Sequence, residues 1–288
     1  MSLVVSHLTE EGPRIVSDSR VSFSDGRNPK VKTGTIKSII ITETIAVCFA
    51  GDVENGLNAI REFANNLDKS RFDSCIANLC TASEQKPREV EFIVAVAGEV
   101  NNLYRVKDGL IESDLRVAWI GDREAFEAFQ QEYNEPQDEI QLELMQGLPQ
   151  SAQTMTRITS AMDKVIANPD IDAVGEFNVR IGSKKGKFNY YGGTFIHLGR
   201  DVNVKDGDNL ILKMAQSVEE GGYSVSIVEP LKPGTPAFAL NFPRAKLGYL
   251  FLPLIYDEAQ VIHDVYARDF AQVILEKFGV EMSQPMLR

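Results

Sequence analysis

The chain has few of the residue types that build disulfide frameworks and metal sites. Only three of its 288 residues are cysteine and three are histidine. Cys48 lies in an apolar run and is predicted to be a buried core thiol, whereas Cys75 and Cys80 lie on different faces of a predicted helix. The histidines are far apart in sequence: His7, His197 and His263. We therefore predict no disulfide, no metal site and no cofactor.

Basic residues are also scarce relative to acidic ones. The chain has 30 lysines and arginines against 41 aspartates and glutamates, which gives a net charge of −11 at pH 7. Nucleic acids and anionic membranes select basic surfaces, so neither is expected as a partner.

Long uncharged apolar runs of membrane-spanning length are absent from the sequence. The apolar start at residues 1–5 has no basic segment before it, and Glu10 and Glu11 follow soon after. A cleaved secretory signal is therefore not expected, and the predicted compartment is the cytoplasm. The 43% hydrophobic content is ample for a core of one large domain or two small ones.

Apolar periodicity gives a coarse order of strands and helices. Strands are predicted at residues 3–8, 14–19, 35–41, 44–50, 90–97, 102–106, 116–120, 177–181 and 187–198. Helices are predicted at residues 52–67, 71–82, 122–133 and 152–167. Strand blocks alternating with helix pairs predict an α+β fold, specifically a four-layer αββα sandwich of two facing sheets with helices outside.

The C-terminal part of the chain is predicted to be separate from this core. Strands are predicted at residues 223–228, 237–242 and 247–252, and a helix at 258–278. We predict a core at residues 1–200 and a C-terminal α+β extension at 201–288, which is either a small subdomain or an extra layer on the core.

A hydroxyl residue, an aspartate and a lysine near the N-terminus could act together chemically. They are Ser2, Asp18 and Lys37. If Met1 is removed, Ser2 carries both a hydroxyl and a free α-amine, whose ordinary pKa is about 8, so it can supply nucleophile and general base together. A nearby lysine would lower the pKa of the nucleophile by its charge, and an aspartate would hold that lysine in place.

Each of these residues also has a simpler interpretation. A Met-Ser start is common, and Asp18 could cap a turn or pair with Arg20. Lys37 lies in the apolar run 36–41, where an inward lysine needs a carboxylate partner and Asp18 is the natural one. The alternative is an edge-strand lysine that faces water.

Three sequence blocks resemble a proteasome β-type subunit or the peptidase subunit of the related bacterial ATP-dependent protease, which are N-terminal nucleophile (Ntn) hydrolases. The first block is Ser17-Asp18-Ser19-Arg20, and the second is Ile36-Lys37-Ser38-Ile39 leading into Phe49-Ala50-Gly51-Asp52. The third is a strand at 91–97, a tyrosine-containing strand with a glycine turn at 103–109, and then Ala118-Trp119-Ile120-Gly121. Asp18 lies 16 positions after Ser2, the separation that the family keeps between nucleophile and aspartate. The resemblance covers roughly residues 2–200.

The resemblance implies roles for two further residues. The backbone amide of Gly51 would help bind the tetrahedral oxyanion, although a turn glycine is also expected between a strand and a helix. Asp122 opens a helix, so its simplest role is an N-cap, and the functional alternative places it beside the nucleophile's amine.

The chain also departs from the family pattern. The family nucleophile is usually threonine, and the family has a serine where this chain has Asp122. Lys37 lies 19 positions after Asp18, a few more than in the family, which fits an enlarged loop at 25–34 in which Lys30 and Lys32 are weaker candidates for the lysine role. The later Asp-x-x-Ser-Gly-Gly block is replaced by residues 172–176, much as in the bacterial peptidase.

The predicted function is a proteasome-like Ntn hydrolase that cleaves peptide or amide bonds through Ser2. The alternative is a non-catalytic scaffold or binding subunit that retains Met1. By analogy with the family we expect a homo-oligomer whose subunit contacts involve helices 52–67 and 152–167. The sequence does not indicate whether the protein has an ATPase partner. The stripe of Met155, Ile158, Met162 and Val165 either contributes to that contact or only packs on the sheet.

Overall fold

The computed structural model describes residues 2–20, 35–69, 71–86, 89–136, 145–175, 177–197 and 223–285. In these ranges it combines helices with antiparallel sheets, which confirms the α+β class. The strands are β1 (Leu3–Thr9), β2 (Gly12–Ser17), β3 (Ser38–Ile40), β4 (Ile45–Gly51), β5 (Val90–Val96), β6 (Asn102–Lys107), β7 (Leu110–Glu112), β8 (Val117–Gly121), β9 (Val179–Lys184), β10 (Lys187–Tyr190), β11 (Gly193–His197), β12 (Tyr223–Val228), β13 (Phe238–Phe242), β14 (Leu247–Phe251) and β15 (Gln260–His263). The helices are α1 (Val53–Asn66), α2 (Phe72–Ser83), α3 (Arg123–Asn134), α4 (Gln150–Ala167) and α5 (Ala267–Phe278).

The first sheet carries the N-terminal strand in its interior. Its strand order is β10-β9-β2-β1-β8, and all pairs are antiparallel. Val4 pairs with Ser17, and Leu3 pairs with Gly121 at the end of β8. The sheet therefore brings the start of the chain beside the segment that follows β2 and beside the end of β8.

The second sheet has the order β3-β4-β5-β6-β7, again antiparallel throughout. Helices α1 and α2 contact it, and buried Leu57, Ile60 and Phe63 of α1 join its core. Burying each such side chain contributes about 1.5–3 kcal/mol. Val4 and Ile120 of the first sheet belong to the same hydrophobic cluster, so the two sheets share one core.

The opposite face of the first sheet is covered by α3 and α4. Leu3, Val5 and Val16 form a second cluster with residues of these helices. Met155, Ile158, Met162 and Val165 belong to that cluster and are at most 7% exposed. The α4 stripe therefore packs on the sheet, and it is not available for contact with another subunit.

The third sheet has the order β11-β12-β13-β14-β15. The ring of Phe177 stacks on that of Phe238 and packs at a tilt against that of Phe251, so one face of this sheet joins the main core. Helix α5 packs on the other face. Its first strand, β11, precedes the predicted boundary at residue 200, and the division into domains stays a prediction.

Two predicted elements are wrong in this region. The single strand predicted at 187–198 is split between two sheets, because the Gly192 amide is held by the Glu229 carboxylate at 2.8 Å where the chain leaves β10. The helix predicted at 258–278 begins only at Ala267. Residues 260–263 pair with β14 instead, and Asp264, with φ +55°, separates that strand from the helix.

A short hairpin strand, β7, was not predicted. It pairs with β6 through a turn at Asp108 and Gly109, which both have positive φ. Its side chains are exposed, so no apolar alternation marks it. The Asp-Gly pair is the signal that predicts such a turn.

Candidate functional site

Asp18 and Lys37 form a buried ion pair. The Nζ of Lys37 lies 2.8 Å from Oδ2 of Asp18, and the two side chains are 1% and 0% exposed. Lys37 immediately precedes β3, and its carbonyl accepts a hydrogen bond from Phe49 N at 2.9 Å, so the lysine is anchored on the second sheet. The predicted contact between the two residues is confirmed, and the alternative in which Lys37 faces water is wrong. Their catalytic roles stay predictions.

This ion pair is adjacent to the second residue of the chain. The Leu3 amide donates to Oδ1 of Asp18 at 2.9 Å, and the Asp18 amide donates to the Leu3 carbonyl at 3.2 Å. The Arg20 amide donates to Oδ2 at 3.1 Å. One carboxylate thus accepts hydrogen bonds from two backbone amides and an ammonium group. It links β1, the end of β2 and the segment before β3 that carries Lys37.

Ser2 lies where β1 begins against the end of β8. Its carbonyl accepts a hydrogen bond from the Asp122 amide at 2.7 Å, and the residue is 3% exposed. Gly121 has φ +103°, and a Cβ added there would lie only 2.0 Å from the Ser2 carbonyl oxygen. The close approach of the two backbones therefore requires glycine at position 121.

Asp122 is the N-cap of α3. Its Oδ1 accepts a hydrogen bond from the Ala125 amide at 2.9 Å, which confirms the simplest predicted role. Its backbone also touches Ser2, so the structure brings this residue to the site through its amide. A role for its carboxylate beside the nucleophile's amine stays a prediction.

Gly51 ends β4 one residue before α1. It is exposed and has φ +112°, and Asp52 caps the helix by accepting from the Asn55 amide at 2.9 Å. The neighbouring Ala50 Cβ lies 3.2 Å from the Cβ position at Gly121, so the end of β4 and the end of β8 are adjacent. The predicted turn at Gly51 is confirmed, and its oxyanion role stays a prediction.

The sequence did not indicate the side chains that hydrogen-bond to β3, the strand that follows Lys37. The Tyr190 hydroxyl accepts from the Ile40 amide at 3.2 Å and donates to the Ser38 carbonyl at 3.1 Å. Burial raises the pKa of Tyr190, so it remains protonated and can keep donating. Ser38 also hydrogen-bonds Ser17 side chain to side chain at 2.9 Å, which ties β3 to β2 next to Asp18.

Arg20 was considered only as an alternative partner for Asp18. It is 1% exposed, and its guanidinium donates to the Val174 carbonyl at 3.4 Å. Ser19 accepts from the Phe177 amide at 3.2 Å. The residues after Asp18 are thus hydrogen-bonded to Val174 and Phe177, a long-range contact that no local pattern indicates.

Cys48 and His7 are both largely buried and contribute to packing. Burial raises the pKa of the Cys48 thiol to about 12, as expected for a core cysteine. Burial, with a smaller effect from Arg157, lowers the pKa of His7 to about 4, and its ring packs 5.0 Å from the ring of Tyr133.

Among the residues described here, no group of three or more histidine, cysteine or acidic side chains has the arrangement of a metal site. Nor does any helix of the described ranges have the length and apolar character needed to cross a membrane. Lys30 and Lys32, together with the whole predicted loop at 25–34, lie outside the described residues.

A groove of about 640 Å³ lies along α4 and is lined by Asp163, Arg180 and Tyr191 among others, but by none of the predicted site residues. The candidate site therefore rests on side-chain geometry and not on this groove. Compared with known proteins, the chain matches no protein-family model, and no curated protein is significantly similar to it.

Proposed function

We propose that this chain is a proteasome-like Ntn hydrolase that cleaves peptide or amide bonds through Ser2 after removal of Met1. The observation that carries the proposal is the buried Asp18–Lys37 pair hydrogen-bonded to the amide of Leu3. Burying an ion pair gives little or no net stability compared with apolar residues. A charged pair in such a place, beside a residue that can bear a free amine, is typical of a functional site.

In the proposed reaction the Ser2 oxygen attacks the substrate carbonyl carbon while its proton passes to the α-amine. Lys37 favours the ionised hydroxyl by its charge, and Asp18 keeps the ammonium in place. The Gly51 amide stabilises the oxyanion. The carbon–nitrogen bond then breaks, the leaving amine takes the proton, and water hydrolyses the acyl ester to regenerate Ser2.

The arrangement of contacts supports the proposed αββα sandwich. Helices α1 and α2 contact the second sheet, the two sheets share one core, and α3 and α4 cover the far face of the first sheet. In this arrangement the third sheet and α5 form the addition beyond the sandwich. We propose cytoplasmic peptides or small amides as substrates.

The first experiment is intact mass spectrometry of the native protein. We expect the mass of a chain that begins at Ser2, because serine is small enough for methionine excision. The mature protein is then treated with a peptide epoxyketone, whose two electrophilic carbons can react with one hydroxyl and one amine, and assayed with fluorogenic peptides. Ser2→Ala should lose both the adduct and the activity, whereas Ser2→Thr should keep them.

Ser6→Ala is the matched control, because Ser6 is a fully buried serine on the same strand. It should retain activity in proportion to its folded fraction. Activity in purified Ser2→Ala equal to that of the parent chain would contradict the proposal.

The burial of Ser2 favours a second function, a non-catalytic scaffold or binding subunit. Ser2 as a whole residue is only 3% exposed, which leaves little of it open to a substrate. A native mass that includes Met1 in most molecules would support this alternative, since the amine would then be blocked.

We also propose a homo-oligomer, now by family analogy alone because the α4 stripe is buried. Light scattering at micromolar concentration tests it, and a mass near 32.0 kDa would show a monomer.

A further inference from the structure

A carboxylate on the second sheet reaches the turn that contacts Ser2. Glu91 lies on β5 opposite Ala50, one position from the pair formed by Gly51 and Val90. Its Oε2 accepts a hydrogen bond from the amide of Gly121, the last residue of β8, at 2.9 Å. Glu91 therefore connects two parts of the structure. One is the β4–β5 strand pair, which contains Gly51, the candidate oxyanion glycine, and the other is the turn before α3.

The Gly121 amide is at a position where a side-chain acceptor is needed. Strand β8 is the edge of the first sheet and pairs only with β1 among the described strands. An edge amide that does not enter the ladder must find another partner or water. Glu91 supplies that partner, and its side chain is only 20% exposed.

The turn held by Glu91 is in direct contact with residue 2. The amide next to that of Gly121 belongs to Asp122 and donates to the Ser2 carbonyl at 2.7 Å. A Cβ at Gly121 would lie 2.0 Å from the same oxygen. Because the two backbones touch, a shift of the turn displaces Ser2 or breaks its hydrogen bond.

We infer that Glu91 is a positioning residue, whose carboxylate fixes the Gly121–Asp122 turn and thereby the place of Ser2. The inference rests on the proposed function where it concerns catalysis, while the effect on the turn is independent of any activity. Lys107 pairs with the other carboxylate oxygen at 2.5 Å and is 42% exposed. The hydrogen bond to Gly121, and not this half-exposed ion pair, carries the positioning.

The test compares Glu91→Ala, which removes the acceptor, with Glu91→Gln, which keeps an amide oxygen able to accept from Gly121. Glu112→Ala is the matched control, since Glu112 lies in the same sheet and pairs with Arg105 of the same strand as Lys107. All variants are prepared as the mature protein, with the N-terminus verified by mass. If Glu91→Ala does not fold, Glu91→Met replaces it, because methionine fills similar space without an acceptor.

The first readout is hydrogen exchange of the peptide that spans residues 118–123. Glu91→Ala should speed exchange of the Gly121 and Asp122 amides at least tenfold, while Glu91→Gln and Glu112→Ala should match the parent chain. Unchanged exchange in Glu91→Ala overturns the inference, and so does an equal increase in Glu112→Ala.

The second readout is peptide hydrolysis. Glu91→Ala should lower kcat roughly 10- to 100-fold with little change in KM, since small errors in the position of a reacting group cost about this much. Glu91→Gln should recover most of the rate. Faster exchange with an unchanged kcat overturns the link to Ser2. If the parent chain has no activity, the proposed function fails, and the exchange data alone decide whether Glu91 holds the turn.

Discussion

Replacing Lys37 by methionine should destabilise the protein far more than the loss of a surface lysine. Methionine has a similar length but no charge, so the Asp18 carboxylate is left buried without its ammonium partner. In the structure the two groups are 2.8 Å apart and at most 1% exposed. Removing one member of such a pair costs about 3–5 kcal/mol.

The control is Lys187→Met. Lys187 also pairs with a carboxylate, that of Glu43 at 2.6 Å, but the two side chains are 51% and 40% exposed. Exposed pairs contribute about 0–1 kcal/mol. The difference between the two lysine variants therefore reports burial and not merely the loss of a positive charge.

Urea unfolding followed by circular dichroism provides the measurement. With a denaturant slope of about 3 kcal/mol/M, a loss of about 3–5 kcal/mol lowers the midpoint by between about 1 and 1.7 M. The double variant Asp18→Asn with Lys37→Met should be more stable than Lys37→Met alone, because it no longer buries an uncompensated charge. Equal midpoints for Lys37→Met and Lys187→Met would refute the assignment of a buried ion pair.

Three further predictions concern pH, backbone contact and thiol chemistry. His7 has a pKa of about 4 in the fold against 6.5 unfolded, so the unfolded chain takes up a proton first as pH falls. Relative to His7→Phe, the parent chain should therefore lose about 2 kcal/mol between pH 7.5 and pH 5 in urea titrations, and parallel losses would contradict this. Gly121→Ala should destabilise the protein by more than Gly98→Ala. Both glycines have positive φ, but an added Cβ at 121 would meet Ser2, whereas nothing lies within 4 Å of an added Cβ at 98. Thermal unfolding compares the two variants, and equal decreases in Tm would count against the contact. With a pKa of about 12, Cys48 should resist iodoacetamide at pH 8 in the folded protein and react after denaturation, as peptide mapping would show.

The contact of Lys37 with Asp18 could be predicted because a charge in an apolar strand imposes a strict requirement. Lysine cannot be buried there without a carboxylate, and the Ser-Asp-Ser-Arg segment offers one. The starts of α1 and α3 were predictable as well, since Asp52 and Asp122 each follow a strand and accept from an amide three residues later.

The rest of the site depends on contacts between residues distant in sequence. Glu91 and Gly121 are 30 positions apart, and Tyr190 and Ser38 are 152 apart. Nothing in the local composition of either partner specifies the other. The strand at 260–263 was mistaken for helix because a short apolar run fits both periods, and pairing with β14 decided between them.

The hydrogen bonds around Asp18 indicate why a charge is present at all. Two of its described donors are the amides of Leu3 and Arg20, which donate to different carboxylate oxygens, so an asparagine with its single acceptor oxygen could accept from only one of them. The negative charge compensates the ammonium of Lys37, a residue that immediately precedes the buried strand β3. An asparagine with an apolar residue at position 37 would bury no charge, but it would leave one of the two amides facing its NH2 group. The carboxylate thus has a structural reason in the two amides, which use both of its oxygens. Buried ion pairs are often matched or exceeded in stability by uncharged replacements, and for that reason we propose that Lys37 serves the chemistry at residue 2.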